Sequence, residues 1–404
     1  MSKVRNFSEI APNIAFPEFN FYELYHSTFE KSELGRIMKL LPLREMAENF
    51  GLVRKSMRPK LGRKSFFTPE GKVALMSLKM YTGLSCPKLL EQLNGNIHYQ
   101  IFCDVIIDPT RPLTNYKLLD DIMMELAGKL KIQQLQGILA DKWRSYMENL
   151  DTMYTDATCY ESEMRYPTDA KLLWEGIEKS YATMCELSSR LGIHRPRTKF
   201  LDVQKANLTY RKQRKHSRSQ TRKITRRLLD LLSKPHLRPI VRGKEVKSVE
   251  FGAKVNNILF DGISFIVKLS FNAFNEGSRL VHCLKMHKRL FGVEAKKVGG
   301  DTGYAGTENR DYCKANGIQT SFVKRGRPFG EKKKEKDLAR KELARVRATA
   351  MEGSFGTQKE HYDLRRVKAR TKRTEILYIF FGIHTANVVQ LADRIEQRAR
   401  LAAA

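Results

Sequence analysis

Acidic residues are scarce in this chain: 44 Asp and Glu stand against 74 Lys and Arg over 404 residues, for a formal net charge of +30 and a pI near 9.9. A surplus of that size exceeds what solubility requires, and its field attracts polyanions, nucleic acid ahead of anionic membrane. Cysteine is sparse too. Cys86, Cys103, Cys159, Cys185, Cys283 and Cys313 are scattered, with no C-x-x-C pair and no histidine at zinc spacing, which argues against a zinc module and predicts reduced, mostly buried thiols. Long apolar runs are missing. The first residues lack a continuous apolar segment of the signal-peptide kind, and no stretch reaches the ~20 apolar residues of a membrane span. The most apolar run, 376–391, is broken by His384, Thr385, Asn387 and Gln390. These absences predict a cytoplasmic protein with no membrane partner, whose charge is for DNA or RNA. With 41% hydrophobic residues the chain can bury a large core, which tilts the reading from small basic packaging proteins toward an enzyme.

Along the chain, residues 1–148 read as one all-helical N-terminal domain. Residues 32–50 carry Leu34, Ile37, Met38 and Leu41 on one side of a helix. Arg54, Lys55, Arg58, Lys60, Arg63 and Lys64, with Lys72 following, surround Pro59 and Gly62 and suit a solvated arm, phosphate-tracking or merely solubilising. Thr68-Pro69-Glu70 caps one amphipathic helix, Ser85-Cys86-Pro87 starts a second, and Gly83 turns between them. The pair fits a DNA-reading helix-turn-helix or a plain αα-hairpin. Helices continue over 115–147.

At 150 the texture changes. Residues 150–167 alternate as two short strands with Asp156 inside the first. Helix is expected over 168–193, and 197–234 holds thirteen Lys and Arg against Asp202 and Asp230. With Arg211, Lys212, Arg214, Lys215, Arg218, Arg222 and Lys223 interleaved with polar residues, this insertion, about 168–240, reads as a basic helical surface for a phosphate backbone. Strands resume with a hairpin turning at Asp261-Gly262. A helix over 277–291 follows, then a strand ending at Asp301, a helix over 307–316, a strand over 318–324, a long charged helix over 331–373, and a partly apolar helix over 374–400.

Three acids fall at meaningful places. A carboxylate within the 150–167 strands must face a metal, a polar network or solvent, and Asp301 ends a strand where open α/β sheets place ligand groups. On the long helix, Glu352 lies between Arg345 and Lys359 at heptad spacing, an acid flanked by cations able to hold phosphates. Taken singly, each has a bland reading as a solvated surface charge. Together, two strand aspartates and a helix glutamate can hold two divalent ions, Mg2+ or Mn2+, about 3.5–4 Å apart for in-line phosphoryl transfer. Other features are discounted: Gly299, Gly300, Gly303 and Gly306 make turns rather than a P-loop, His282 and His287 are spaced wrongly for a metal, Glu161 and Glu163 suit solvation, and Trp143 and Trp174 suit core or interface.

The motifs Tyr154-Thr155-Asp156-Ala157-Thr158, Gly300-Asp301-Thr302-Gly303-Tyr304 and Glu352-Gly353-Ser354-Phe355-Gly356 with Lys359 give the chain its resemblance to bacterial insertion-sequence transposases with an RNase H-like DDE core, over roughly residues 60–390. The resemblance implies an α/β fold: an RNase H-like mixed-sheet catalytic core over 149–373 with the helical insertion, preceded by the all-helical N-terminal domain, with a C-terminal helix over 374–404 packing on the core. It implies catalytic, metal-binding Asp156, Asp301 and Glu352, and Lys359 steadying the DNA strand. Many relatives carry arginine where this chain has Ala348, which leaves Arg345 and Arg347 as the nearby phosphate-binding cations. Implied partners are double-stranded DNA, as terminal inverted repeats and target, and a second copy in a homodimer on DNA in a bacterial nucleoid. The implied activity is metal-dependent 3′-end cleavage and strand transfer. The alternatives are a non-catalytic DNA-binding regulator, an inactivated relative, or an RNA-binding factor using the same basic surface.

Overall fold

Ser32 accepts a hydrogen bond from the Gly35 N–H at 3.2 Å and opens α1 (Glu33–Leu40). Pro42 then separates it from α2 (Leu43–Asn49), so the single helix expected across 32–50 is two. Thr68 accepts from the Gly71 N–H at 3.0 Å to start α3 (Pro69–Thr82), which ends at Gly83 with φ +62°, a left-handed cap that a side chain would strain. Residues 73–80 of α3 are all buried, while α4 (Cys86–Gly95) buries Leu89, Leu90 and Leu93 and exposes Lys88 and Glu91. Helices α5 (Ile97–Phe102), α6 (Lys117–Lys129) and α7 (Ile132–Trp143) complete this layer. The computed structural model describes residues 25–53, 65–163, 170–194, 198–213, 217–231, 239–241, 249–323, 331–369 and 371–403.

The strands β1 (Thr152–Ser162), β2 (Pro239–Val241), β3 (Val249–Phe260), β4 (Ile263–Ser270), β5 (Lys297–Gly299), β6 (Gln319–Thr320) and β7 (Arg366–Val367) form one seven-stranded mixed sheet among helices, the α/β class expected. β3 lies antiparallel between β1 and β4, while β5 and β6 run parallel beside β1. The two short strands expected over 150–167 are instead one strand of 11 residues, because nothing inside it breaks its pairing with β3. The hairpin turn is as expected: Asp261 at φ +43° and Gly262 at φ +81° join β3 to β4, and Arg394 clasps the turn through Asp261 Oδ2 and the Asp261 carbonyl, both at 2.6 Å.

Helix α11 (Leu280–Phe291) precedes β5, α12 (Thr307–Ala315) links β5 to β6, and α13 (Glu331–His361) crosses the sheet. The long helix expected to reach 373 stops at His361, where Asp363 takes φ +56°, pairs with Lys368 at 2.8 Å and receives the Tyr378 hydroxyl. α14 (Lys372–Ala403) is long and apolar enough to cross a membrane by composition, but 89% of its most apolar window is buried inside the protein, so its apolar content is core. It packs on α1, α3, α6 and β4.

Between β1 and β2, the helices α8 (Ala170–Arg190), α9 (Phe200–Arg211) and α10 (Arg218–Leu231) gather a separate small core of Leu173, Trp174, Ile177, Phe200, Val203, Ile224, Leu228 and Leu229. The other tryptophan, Trp143, is buried in the main core and donates to the Leu40 carbonyl at 2.9 Å. That main core is continuous from the N-terminal helices through the sheet to α14.

Side-chain amides seal the open edge of β4. Gln136 of α7 donates to the Ile266 carbonyl at 3.0 Å and accepts its N–H at 2.7 Å; Asn387 of α14 donates to the Ser264 carbonyl at 2.7 Å and accepts its N–H at 3.0 Å. An edge satisfied in this way presents no template for a further strand. His384 lies between these amides, within 3.2 Å of each, and burial lowers its pKa to about 3. Because that value is depressed below the ordinary one, the unfolded chain protonates first, so the stability is complete above about pH 6.5 and is lost as pH falls toward 3. Between about pH 7 and about pH 5 the unfolding free energy of the protein should fall by roughly 2 kcal/mol more than that of His384→Leu, measured by denaturant unfolding; parallel pH profiles would contradict the buried neutral ring.

Candidate active site

β1 carries Asp156 into the middle of the sheet, opposite Asn257 of β3. On its other side β1 pairs in parallel with β5, Tyr154 standing beside Gly299. Continuing that register two residues onward brings Asp301 level with Asp156. Gly299 is needed where it stands, since a β-carbon there would lie 2.5 Å from the Tyr154 ring and 3.0 Å from the Arg347 side chain.

Asp301 closes its own turn, accepting the Gly303 N–H at 2.9 Å. The buried Tyr304 fixes that turn to the strands. Asn256 of β3 donates to the Tyr304 hydroxyl at 2.8 Å and to the Asp156 carbonyl at 3.1 Å. Ser321 holds the Gly300 N–H and carbonyl at 3.0 and 2.8 Å. The Gly300–Tyr304 motif is thus a turn pinned to the strands on both sides of Asp156.

A third acid arrives from a loop that carries no motif. Glu276 precedes Gly277, which packs so closely that a β-carbon would lie 2.2 Å from the Gly303 carbonyl oxygen. Asn309 of α12 donates to the carbonyls of both Gly277, at 2.7 Å, and Tyr304, at 2.9 Å, stapling the two turns together. Oxygen atoms of Asp156, Glu276 and Asp301, all partly buried, consequently lie within 4.8 Å of one another.

Like charges this close repel. Burial pushes the Asp156 carboxyl above its ordinary value, Asp301 and Glu276 push it the same way, and the Arg347 guanidinium and the Ala157 N–H, at 2.8 Å, oppose them. Arg347 reaches Asp156 from α13 as an ion pair, and Lys254 of β3 pairs with Glu276 at 2.5 Å. Among the described residues, Arg347 and Lys254 are the counter-cations paired with this cluster of three carboxylates.

Helical phase decides which residues of α13 look inward. Leu343, Arg347, Met351, Phe355 and Gln358 recur every three or four residues on the side facing the sheet; Met351 and Phe355 pack with Leu259 and Tyr154, and Gln358 accepts the Tyr160 hydroxyl. The heptad line of Arg345, Glu352 and Lys359 runs to one side of that stripe. Arg345 is exposed and pairs with Glu342 at 2.7 Å, Glu352 is exposed, and the Lys359 ammonium lies 6.0 Å from the Tyr160 ring centre. The structure thus brings Asp156 and Asp301 together, adds Glu276, and leaves Glu352 outside their cluster. Arg211, Lys212, Arg222 and Lys223 are exposed on α9 and α10; Arg214, Lys215 and residues 54–64 lie outside the described residues, as does the side chain of Arg218. His287 is a core residue, its ring nitrogen 2.8 Å from the Leu150 carbonyl and its face against Phe260.

In the sequence Glu276 is marked only by a polar Asn275-Glu276-Gly277 turn before a helix, and the partnership of Arg347 with Asp156 only by the phase of Arg347 with Leu343 and Met351. The donor set suits a hard divalent cation. An octahedral Mg2+ with oxygens about 2.1 Å away has opposite ligands about 4.2 Å apart, so carboxylates already this close can shut on one ion with small movements.

Residues 298–389 match the family model described as a transposase DDE domain. The matched stretch begins within β5, contains Asp301 and Glu352 and ends within α14; Asp156 and Glu276 lie outside it. This match supports a DDE-type transposase. No curated protein and no solved structure matches the chain.

If Tyr304 anchors the Asp301 turn, Tyr304→Phe should lower the unfolding free energy by about 0.5–1.5 kcal/mol, because it removes the buried hydroxyl that accepts from Asn256 and Thr155. Denaturant unfolding measures this, and an unchanged stability would remove Tyr304 from that role.

Proposed function

We propose that the chain is a DNA transposase that binds the terminal inverted repeats of an insertion sequence, cleaves the 3′ ends, and joins them to target DNA. The observation that carries this reading is the meeting of Asp156 and Asp301, far apart in the chain, at adjacent central strands of the sheet, Asp301 lying within the stretch that matches a transposase DDE domain. The mixed sheet, with one aspartate inside a strand and the other just past the carboxyl end of its parallel neighbour, supports an RNase H-like core.

In this reading Asp156 and Asp301 would hold a divalent cation, and Glu352, on α13, would help to hold a second. The bound ions supply a lowered water pKa and charge neutralisation at the leaving oxygen. The residues of the chain do the positioning. The Tyr304 anchor and the Asn309 staple fix the carboxylates in advance, so little reorganisation remains at the moment of reaction. Lys359 steadies the DNA strand beside the site, with Arg345 on the same line of α13. The exposed Arg211, Lys212, Arg222 and Lys223 track the phosphate backbone, with Arg214, Lys215 and Arg218 on the same basic stretch. Two transposon ends must be held for coupled joining, which calls for a homodimer on DNA.

A second reading, a DNA-binding regulator with structural acids, is favoured by the exposed Glu352. One assay separates the two. Full-length protein should nick supercoiled plasmid DNA only when Mg2+ or Mn2+ is present, and Asp156→Ala, Asp301→Ala and Glu352→Ala should each abolish nicking while duplex binding by gel shift persists and weakens linearly on a log–log plot against salt. Duplex binding without nicking at any Mg2+ or Mn2+ concentration would establish the regulator instead.

A further inference from the structure

We propose that Arg347 is a built-in competitor of the divalent cation, occupying Asp156 until the metal displaces it. This rests on the acid cluster being the metal site. Both oxygens of the Asp156 carboxylate are engaged: Oδ1 accepts the Ala157 N–H at 2.8 Å, and Oδ2 takes the Arg347 guanidinium. A cation held by Asp156 and Asp301 would bind the same carboxylate that Arg347 now pairs with, and a guanidinium left on that carboxylate would repel the ion with like charge. The two cations are alternatives.

The pairing is built to be exchanged. Arg347 and Asp156 are only 18% and 19% exposed, so their contact is hardly screened, yet the Arg347 Nε is buried with no hydrogen-bond partner. A buried ion pair with an unmet donor is an incomplete one, holding the carboxylate in place without the full satisfaction that would make it permanent. Its backbone position is set by packing rather than by the ion pair, because Leu343, Met351 and Phe355 on the same face of α13 are buried against the sheet. The guanidinium can therefore swing away while the helix stays docked. The anion that would receive it is the phosphate brought by bound DNA, so metal loading and DNA engagement are linked through one side chain. Glu276 has a parallel arrangement with Lys254, but Lys254 is held by two further contacts, to the Phe274 carbonyl at 3.0 Å and over the Phe274 ring at 5.0 Å, and makes the more permanent partner.

Mn2+ binding to the full-length protein, without DNA, tests this through the electron paramagnetic resonance signal of free Mn2+. Arg347→Gln should bind Mn2+ on the order of tenfold more tightly than the unmodified protein, whereas Arg345→Gln, which removes the same charge from an exposed site, should change affinity less than about twofold. Arg347→Lys, a shorter cation without the planar fork, should fall between, and serves alone if Arg347→Gln does not melt cooperatively. Affinity in Arg347→Gln no greater than in Arg345→Gln, or in Arg347→Lys no greater than in the unmodified protein, would overturn the proposal. Asp301→Asn separates this from the underlying reading: Mn2+ binding unchanged in Asp301→Asn removes the metal site itself, while binding lost there but not tightened by Arg347→Gln removes the competition alone.

Discussion

The parallel pairing of β1 with β5 is the constraint on which the site depends. Tyr154 beside Gly299 fixes a register, and a strand register admits no half-steps, so Asp301 arrives level with Asp156 or is displaced along it by a full residue. Gly299 permits the close approach of Tyr154 and α13, the Tyr304 hydroxyl ties the following turn to β3, and Asn309 ties the Glu276 loop to that turn. Each of these contacts serves the same end, the holding of three carboxylates against their own repulsion.

Holding them together has an electrostatic cost that the fold offsets locally. Partial burial and two neighbouring acids destabilise the charged form of Asp156, and Arg347 and Lys254 supply the opposing charge at Asp156 and Glu276 respectively. The surplus of basic residues along the rest of the chain acts at longer range, drawing in a polyanion whose phosphates would otherwise be repelled by such a cluster. The small separate core of α8–α10 lets the insertion present exposed Arg211, Lys212, Arg222 and Lys223 without drawing on the apolar residues of the sheet.

Much of this was legible in the residues. The cap at Thr68, the turn at Asp261-Gly262, the strand position of Asp156 and the Gly-rich turn after Asp301 follow from local chemistry that tertiary packing does not override. What was not legible is what depends on long-range contact. Glu276 joins the cluster through the docking of two turns, which no local pattern announces. The division of α13 from α14 rests on Asp363 adopting a left-handed backbone with Tyr378 and Lys368 as partners, contacts from beyond the helix itself. The heptad line through Glu352 was visible, but the sheet selects the stripe of Leu343, Arg347 and Met351, and a sequence of mixed charge gives no means of ranking one stripe over another.

The most direct test of whether Asp156 and Asp301 share a cation is an anomalous difference map from crystals of the full chain grown with Mn2+. A peak is expected between the two carboxylates, about 2.2 Å from an oxygen of each, with the Arg347 guanidinium moved off Asp156. A map with no peak there at saturating Mn2+, and Arg347 still on Asp156, would contradict it.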